Sequence, residues 1–250
     1  MPALHVFLSP HLDDAVLSCG GTIARLSSEG HRVLVVTVFA QGKRGALSPF
    51  ARRHLRIWDA QEDAMRLRQQ EDREALALLG AEAWHGQYAD APFRRHPVDG
   101  RWLYTSDKTL FGLPDPSEGD FPHRIAGEVS TILVQPPKFI YVPLGLGRHV
   151  DHVHVAAAGH ILARAGYPVL WYEEYPYAAQ MQRRSRPGWH ALISRVREQD
   201  VERKMQAILR YRSQIPSLFG HPKEVARRVG DYMRSVSGYG YYAERFWQRT

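Results

Sequence analysis

Two short segments hold the groups of this chain best suited to chemistry. Ser9-Pro10-His11-Leu12-Asp13-Asp14 places one imidazole and two carboxylates within six residues. Gly147-Arg148-His149-Val150-Asp151-His152 places two imidazoles and a carboxylate within another six. These side chains ligate divalent metals and move protons near neutral pH. The i, i+3 spacing of His149 and His152 brings them to one side of a helical start. His11, Asp14 and His152 would together supply two imidazoles and a carboxylate, a common protein set for catalytic zinc with a position left for water. Helix capping accounts for acids such as Asp13 and Asp14 at a turn, but it calls for no imidazole beside them.

Each segment sits between a strand signal and a helix signal. Ala3–Leu8 is an apolar run and predicts a buried strand; Ala15–Ser28 carries Val16, Ile23 and Leu26 at helical spacing. Lys138–Val142 predicts a second such strand, followed by a turn over Leu144–His149 and an alanine-rich helix over Val150–Ala165. Between and beyond them, strands are expected at Arg32–Ala40, Ala81–His85 and Val169–Tyr172, with a possible closing strand in Gly238–Trp247. A loop is expected over Gln41–Arg53, a long helix over Leu55–Leu79 and another over Ile125–Val134, with mainly helix from Glu198. Strand and helix signals in alternation predict an α/β protein with a mostly parallel sheet flanked by helices. Open sheets of this kind place ligand sites at the carboxyl ends of their strands. Gly86 to Phe121 has little regular pattern, and stretches that long in compact domains tend to carry function.

The chain has 250 residues, a length that suits one large domain, 1–250. With 44% hydrophobic and 24% charged residues it has a globular composition. No apolar run approaches the roughly 18 residues that span a bilayer, and the start lacks a basic n-region and cleavage site. One cysteine, Cys19, forms no internal disulfide, so a soluble, cytoplasmic setting is expected. The net charge of +7 comes mostly from arginines scattered along helical stretches, including Arg52-Arg53, Arg94-Arg95, Arg183-Arg184 and Arg227-Arg228. No nucleic-acid motif surrounds them, so no nucleic-acid partner is expected. The first turn also lacks the G-x-G-x-x-G of a dinucleotide site, and its carboxylates would repel a pyrophosphate.

SPHLDDAVLSCGGTIARL and GRHVDHVHVA resemble the PIG-L / LmbE-like metal-dependent de-N-acetylases, whose motifs are His-Pro-Asp-Asp and a later His-x-Asp-His. A weaker third block, Arg68 to Gly80 followed by Asp90, extends the resemblance over the first two-thirds of the chain. The resemblance implies a Rossmann-like, LmbE-like fold. It implies His11, Asp14 and His152 as metal ligands, Asp13 as general base and later acid, and His149 as a protonated oxyanion stabiliser held and charged by Asp151. It also implies Arg68 and Asp90 as substrate contacts. The metal expected is Zn2+, with Fe2+ or another divalent ion also suiting such ligands. Leu12 replaces the usual proline and Ala15 a common glutamate; neither is a ligand in the family scheme.

Amide hydrolysis is slow because the carbonyl is a poor electrophile and water a poor nucleophile, and a divalent metal remedies both. The substrate implied is a small acetylated amino sugar, an N-acetylglucosamine-type conjugate. The arginines of Lys43–Arg53 and Arg94-Arg95 suggest an anionic group on it. The alternative is a non-catalytic metal- or carbohydrate-binding protein, for which Asp13, His149 and Asp151 would be unnecessary. Arg68 on a solvated helix face and Asp90 as a turn former are the structural alternatives for those two. His5, His154 and His160 are expected to be packing or surface groups, and Cys19-Gly20-Gly21 a close helix contact. Tyr172-Glu173-Glu174-Tyr175 either lines the pocket or forms an exposed acidic loop.

Overall fold

A computed structural model describes residues 2–42, 45–58, 64–181 and 185–250. Its elements run β1 Leu4–Ser9, α1 Asp14–Ser28, β2 Arg32–Thr37, α2 Pro49–Ile57, α3 Ala64–Leu79, β3 Glu82–His85, α4 Asp107–Leu110 and α5 Phe121–Ile132. They continue with β4 Phe139–Pro143, α6 Val150–Arg164, β5 Val169–Tyr172, β6 Trp189–Arg195, α7 Glu198–Ile208, α8 Ile215–Phe219, α9 Lys223–Ser237 and β7 Ala243–Arg249. The strands form one sheet in the order β3-β2-β1-β4-β5-β7-β6. The first five are parallel, while β7 runs antiparallel to both β5 and β6. Among the described residues, no helix is long and apolar enough to cross a membrane.

The period-2 alternation of β1 feeds two cores. Phe7 enters an apolar layer shared with α1, α3, α7 and α9, while Leu4, Val6 and Leu8 enter one shared with α5 and α6. Helices therefore cover both faces, as a buried parallel sheet requires. Gly20 and Gly21 let α1 approach its neighbours closely: a Cβ on Gly21 would lie 2.6 Å from Val196, and one on Gly20 2.9 Å from Lys204. The Glu244 carboxylate reaches α1 there, accepting the N–H groups of Gly21 (3.0 Å) and Thr22 (2.8 Å). Lys204 neutralises it at 2.7 Å.

Two sequence expectations differ from the structure, and one strand was not expected at all. The loop expected over Gln41–Arg53 gives way to α2 at Pro49, where Ser48 caps the helix by accepting the Ala51 N–H. The long helix expected over Leu55–Leu79 is described as α2 and α3, with 59–63 outside the described residues. Strand β6 carried no sequence signal: it is an edge strand whose side chains are mostly exposed or half-buried, so it lacks the apolar run of a central strand. Lys43 and the Arg183-Arg184 cluster lie outside the described residues.

Candidate functional site

Chain order reverses about β1, with β2 on one side and β4 on the other. That is the topological switch point, where open α/β sheets form a crevice. The turn after β1 delivers His11, Asp13 and Asp14; the turn after β4 delivers His149, Asp151 and His152. All of these except Asp151 line one cavity of about 320 Å³, together with Arg68 and Asp90. Asp151 lies fully buried behind it.

The two turns meet at a single oxygen. Asp14 Oδ2 lies 3.2 Å from His11 Nδ1 and 3.2 Å from His152 Nε2, and it also accepts the backbone N–H of His11 at 2.9 Å. The remaining nitrogen of each imidazole is held by a different buried carboxylate. His11 Nε2 lies 2.9 Å from Asp151 Oδ2, and His152 Nδ1 lies 3.3 Å from Glu174 Oε1. Imidazoles fixed on one nitrogen by a carboxylate, with the other turned toward a shared acid, form the outer and inner layers typical of a metal site. This donor set fits a divalent ion. Donor nitrogens of His11, His149 and His152 also lie within 4.8 Å of one another, as do donor atoms of His11, Asp90, His149 and Asp151. Those groupings omit Asp14, the acid whose Oδ2 touches both the His11 and His152 imidazoles directly.

Electrostatics separates the neighbouring acids. Burial and the charge of Asp14 push Asp13 up to about 7, against Arg68 and His11. Burial also acts on Asp14, yet His152 and His11 hold it well below the usual carboxylate range. Asp13 adopts φ 148°, ψ −33°, a backbone conformation strained for any residue with a side chain. That strain aims an acid with raised proton affinity beside the imidazole–carboxylate set.

His149 and Asp151 do not interact as expected. The His149 Nδ1 accepts the backbone N–H of Asp151 (3.2 Å), leaving Nε2 to carry the proton of a neutral ring. Burial and the nearby charge of His11 keep its pKa well below the ordinary histidine value. The Asp151 carboxylate serves His11 and Arg94 instead, the latter at 2.5 Å. The Asp151 charge acts on His149 in the opposite sense, raising its pKa, but burial and His11 outweigh it.

Arg68 is buried, not solvated. Its guanidinium lies over Trp58 at 4.6 Å and between Asp13 (3.7 Å) and Asp90 (3.8 Å). Arg94 is also buried, and both of its edges face acids, so it offers no charge to an anionic substrate. Arg95 stacks on Trp102 at 3.7 Å. Sequence reasoning missed the structural weight of Glu118 and Trp58, and it left Glu174 undecided between pocket and surface. Glu174 is fully buried and accepts the N–H groups of Leu144, Gly145 and Leu146 at 3.1, 2.8 and 2.9 Å. Tyr177 and Phe111 form further walls; Tyr177 packs so tightly on Gly147, at φ +72°, that a Cβ there would lie 2.4 Å from its ring. His5 and His154 are buried, His5 beside the Tyr141 hydroxyl at 3.1 Å and His154 with Nε2 3.2 Å from Glu118 Oε2.

Residues 6–162 match the family model PIG-L, described as GlcNAc-PI de-N-acetylase. The chain is 30% identical to a 2'-N-acetylparomamine deacetylase of Niallia circulans, over 97% of this chain and 89% of that protein. A zinc-inhibited form of teicoplanin deacetylase superposes with a TM-score of 0.86 at 30% identity, covering 99% of this chain and 98% of that one. The A40926 pseudoaglycone deacetylase superposes with a TM-score of 0.80 at 30% identity, covering 97% and 95%. With its two histidine–aspartate turns converging at the switch point of a PIG-L-type sheet, the chain belongs to the PIG-L family of de-N-acetylases and is an N-acetyl amidohydrolase.

Proposed function

We propose that this enzyme removes the N-acetyl group from an amino sugar carried on a larger conjugate, with His11, Asp14 and His152 holding a divalent ion. The observation that carries this reading is the meeting of both imidazoles at Asp14 Oδ2, each braced from behind by a buried carboxylate. The acetylparomamine and teicoplanin deacetylases among its relatives support an acetylated sugar conjugate as substrate. A divalent ion bound there supplies Lewis acidity to the amide carbonyl and lowers the pKa of its water.

This chain's residues then divide the work. Asp13 takes the proton of the attacking water and returns it to the amine nitrogen as the C–N bond breaks, releasing acetate and the free amine. Its raised proton affinity suits both transfers near neutral pH. His149 donates its Nε2–H to the oxyanion of the tetrahedral intermediate; losing such a donor typically costs about 3 kcal/mol of barrier. Arg68 and Asp90, paired across the cavity, hold the sugar through its hydroxyls. Trp58, Phe111 and Tyr177 exclude bulk water from the reacting amide.

Asp13→Asn tests the reading because it preserves shape and removes only the base. Metal content is expected to stay at the wild-type level, while amine release from a panel of N-acetylated amino sugars falls by about 10²-fold or more. His152→Ala is expected to lose the ion. An Asp13→Asn enzyme that keeps both its ion and most of its turnover would overturn the assignment.

A further inference from the structure

The Asp151 carboxylate is fully buried, and its two oxygens are used differently. Oδ2 meets His11 Nε2 (2.9 Å) and accepts the N–H of Ala91 (3.1 Å), while Oδ1 accepts Arg94 Nη1 at 2.5 Å. The other edge of the Arg94 guanidinium is clamped by Glu118, with Nε to Oε1 at 2.6 Å and Nη2 to Oε2 at 3.2 Å. Glu118 is fixed in turn by the Tyr104 hydroxyl (2.6 Å) and by His154 Nε2 (3.2 Å). Phe39 and Tyr104 lie against the guanidinium at 4.9 and 5.1 Å.

A buried guanidinium between two buried acids is retained only with near-ideal geometry. Its planar fork grips both acids at once, which a lysine cannot reproduce. The stretch 86–121, which lacked regular pattern, thus delivers a rigid charge clamp to the first turn of α6. We propose that Arg94 and Glu118 are positioning residues: they fix the Asp151 carboxylate so that it orients the His11 ring, presenting His11 Nδ1 to the ion. This rests on the reading of His11 as a ligand. Neither residue touches the substrate; each acts through Asp151.

The test uses Zn2+ alone as probe, in chelator competition well below the melting temperature, with steady-state kinetics alongside. Losing the direct outer partner of a metal ligand costs about 10- to 100-fold in affinity. Glu118→Gln and Arg94→Lys act one step further out and are each expected to weaken Zn2+ binding by about 10-fold, the lower end of that range. In the kinetics, kcat is expected to fall with KM little changed. Met233→Ala, in the apolar core on α9, is expected to lower the melting temperature without moving Zn2+ affinity. Should Arg94→Lys fail to fold, the isosteric Glu118→Gln carries the test. Wild-type Zn2+ affinity in the folded variants would overturn this proposal and leave the proposed function standing. A wild-type enzyme that binds none of Zn2+, Co2+ or Fe2+ would overturn both.

Discussion

Glu174→Gln probes the other brace of the site and can be worked out from contacts. Oε1 accepts Gly145 N–H, Leu146 N–H and His152 Nδ1, whereas Oε2 accepts only Leu144 N–H among the described residues. A glutamine can keep its oxygen in the Oε1 position, so the shape and three contacts survive. Its NH2 then faces the Leu144 N–H, donor against donor, though that N–H retains the Tyr172 carbonyl at 3.1 Å. Hydrogen bonds to a charged acceptor contribute about 1.5–3 kcal/mol and neutral ones about 0.5–1.5, so the Gly145 and Leu146 bonds weaken by about 1 kcal/mol each. With the repulsion at Leu144 the total loss is about 3 kcal/mol, which lowers Tm by roughly 6–12 °C in a chain of this size. Removing the carboxylate behind His152 is also expected to weaken divalent-ion binding about 10-fold or more. Thermal unfolding and chelator competition read the two effects separately. A variant within about 2 °C of wild type, with unchanged ion affinity, would refute the claim that a charged Glu174 braces both the turn and the ligand.

Two further substitutions address the fold. Lys204→Met leaves the Glu244 carboxylate buried against α1 without its cation; breaking such a pair costs about 3–5 kcal/mol, and a melting temperature unchanged in calorimetry would show the pair to be dispensable. His5 is buried in β1 beside Tyr141, and burial with the nearby positive charge of His31 lowers its pKa to about 4. The unfolded chain therefore takes up a proton that the folded chain resists, so its share of stability is complete above pH 6.5 and is lost progressively between 6.5 and 4. His5→Gln is expected to flatten the pH dependence of urea-unfolding stability in that window by up to one proton, and parallel curves for the two proteins would contradict the assignment.

The two histidine–aspartate turns were legible because nothing in strand or helix formation asks for His11, Asp13, His149 or His152 where they stand. Apolar runs before the turns and helix signals after them placed both turns at strand ends, and the sheet then brought them together. The braces were harder to see. Glu174 follows a strand as many surface acids do, and only its burial beneath the turn after β4 distinguishes it from Glu173, which pairs with Arg245 at 3.1 Å. Arg94 is buried between two acids while its neighbour Arg95 is half-buried against Trp102, a difference that an irregular chain, lacking the periodicity that assigns faces, does not announce. Asp151 was expected to hold His149, whereas its carboxylate hydrogen-bonds His11 and Arg94. Its backbone N–H reaches His149 while its carboxylate turns to His11, a distinction that residue type and spacing do not encode.

The pairing of β1 with β4, His5 to Phe139, Val6 to Ile140 and Phe7 to Tyr141, joins segments more than a hundred residues apart in sequence. A slip of one position along that seam would slide one turn past the other by roughly 3.3 Å and turn alternate side chains to the opposite face. His152 would then no longer face the oxygen that His11 faces. The stacked rings of Phe7 and Tyr141, 4.1 Å apart and nearly parallel at 4°, help to lock the seam. The alignment of the two turns is thereby set partly by an aromatic pair in the sheet interior, and on the proposed function substitutions there are expected to lower turnover from a distance.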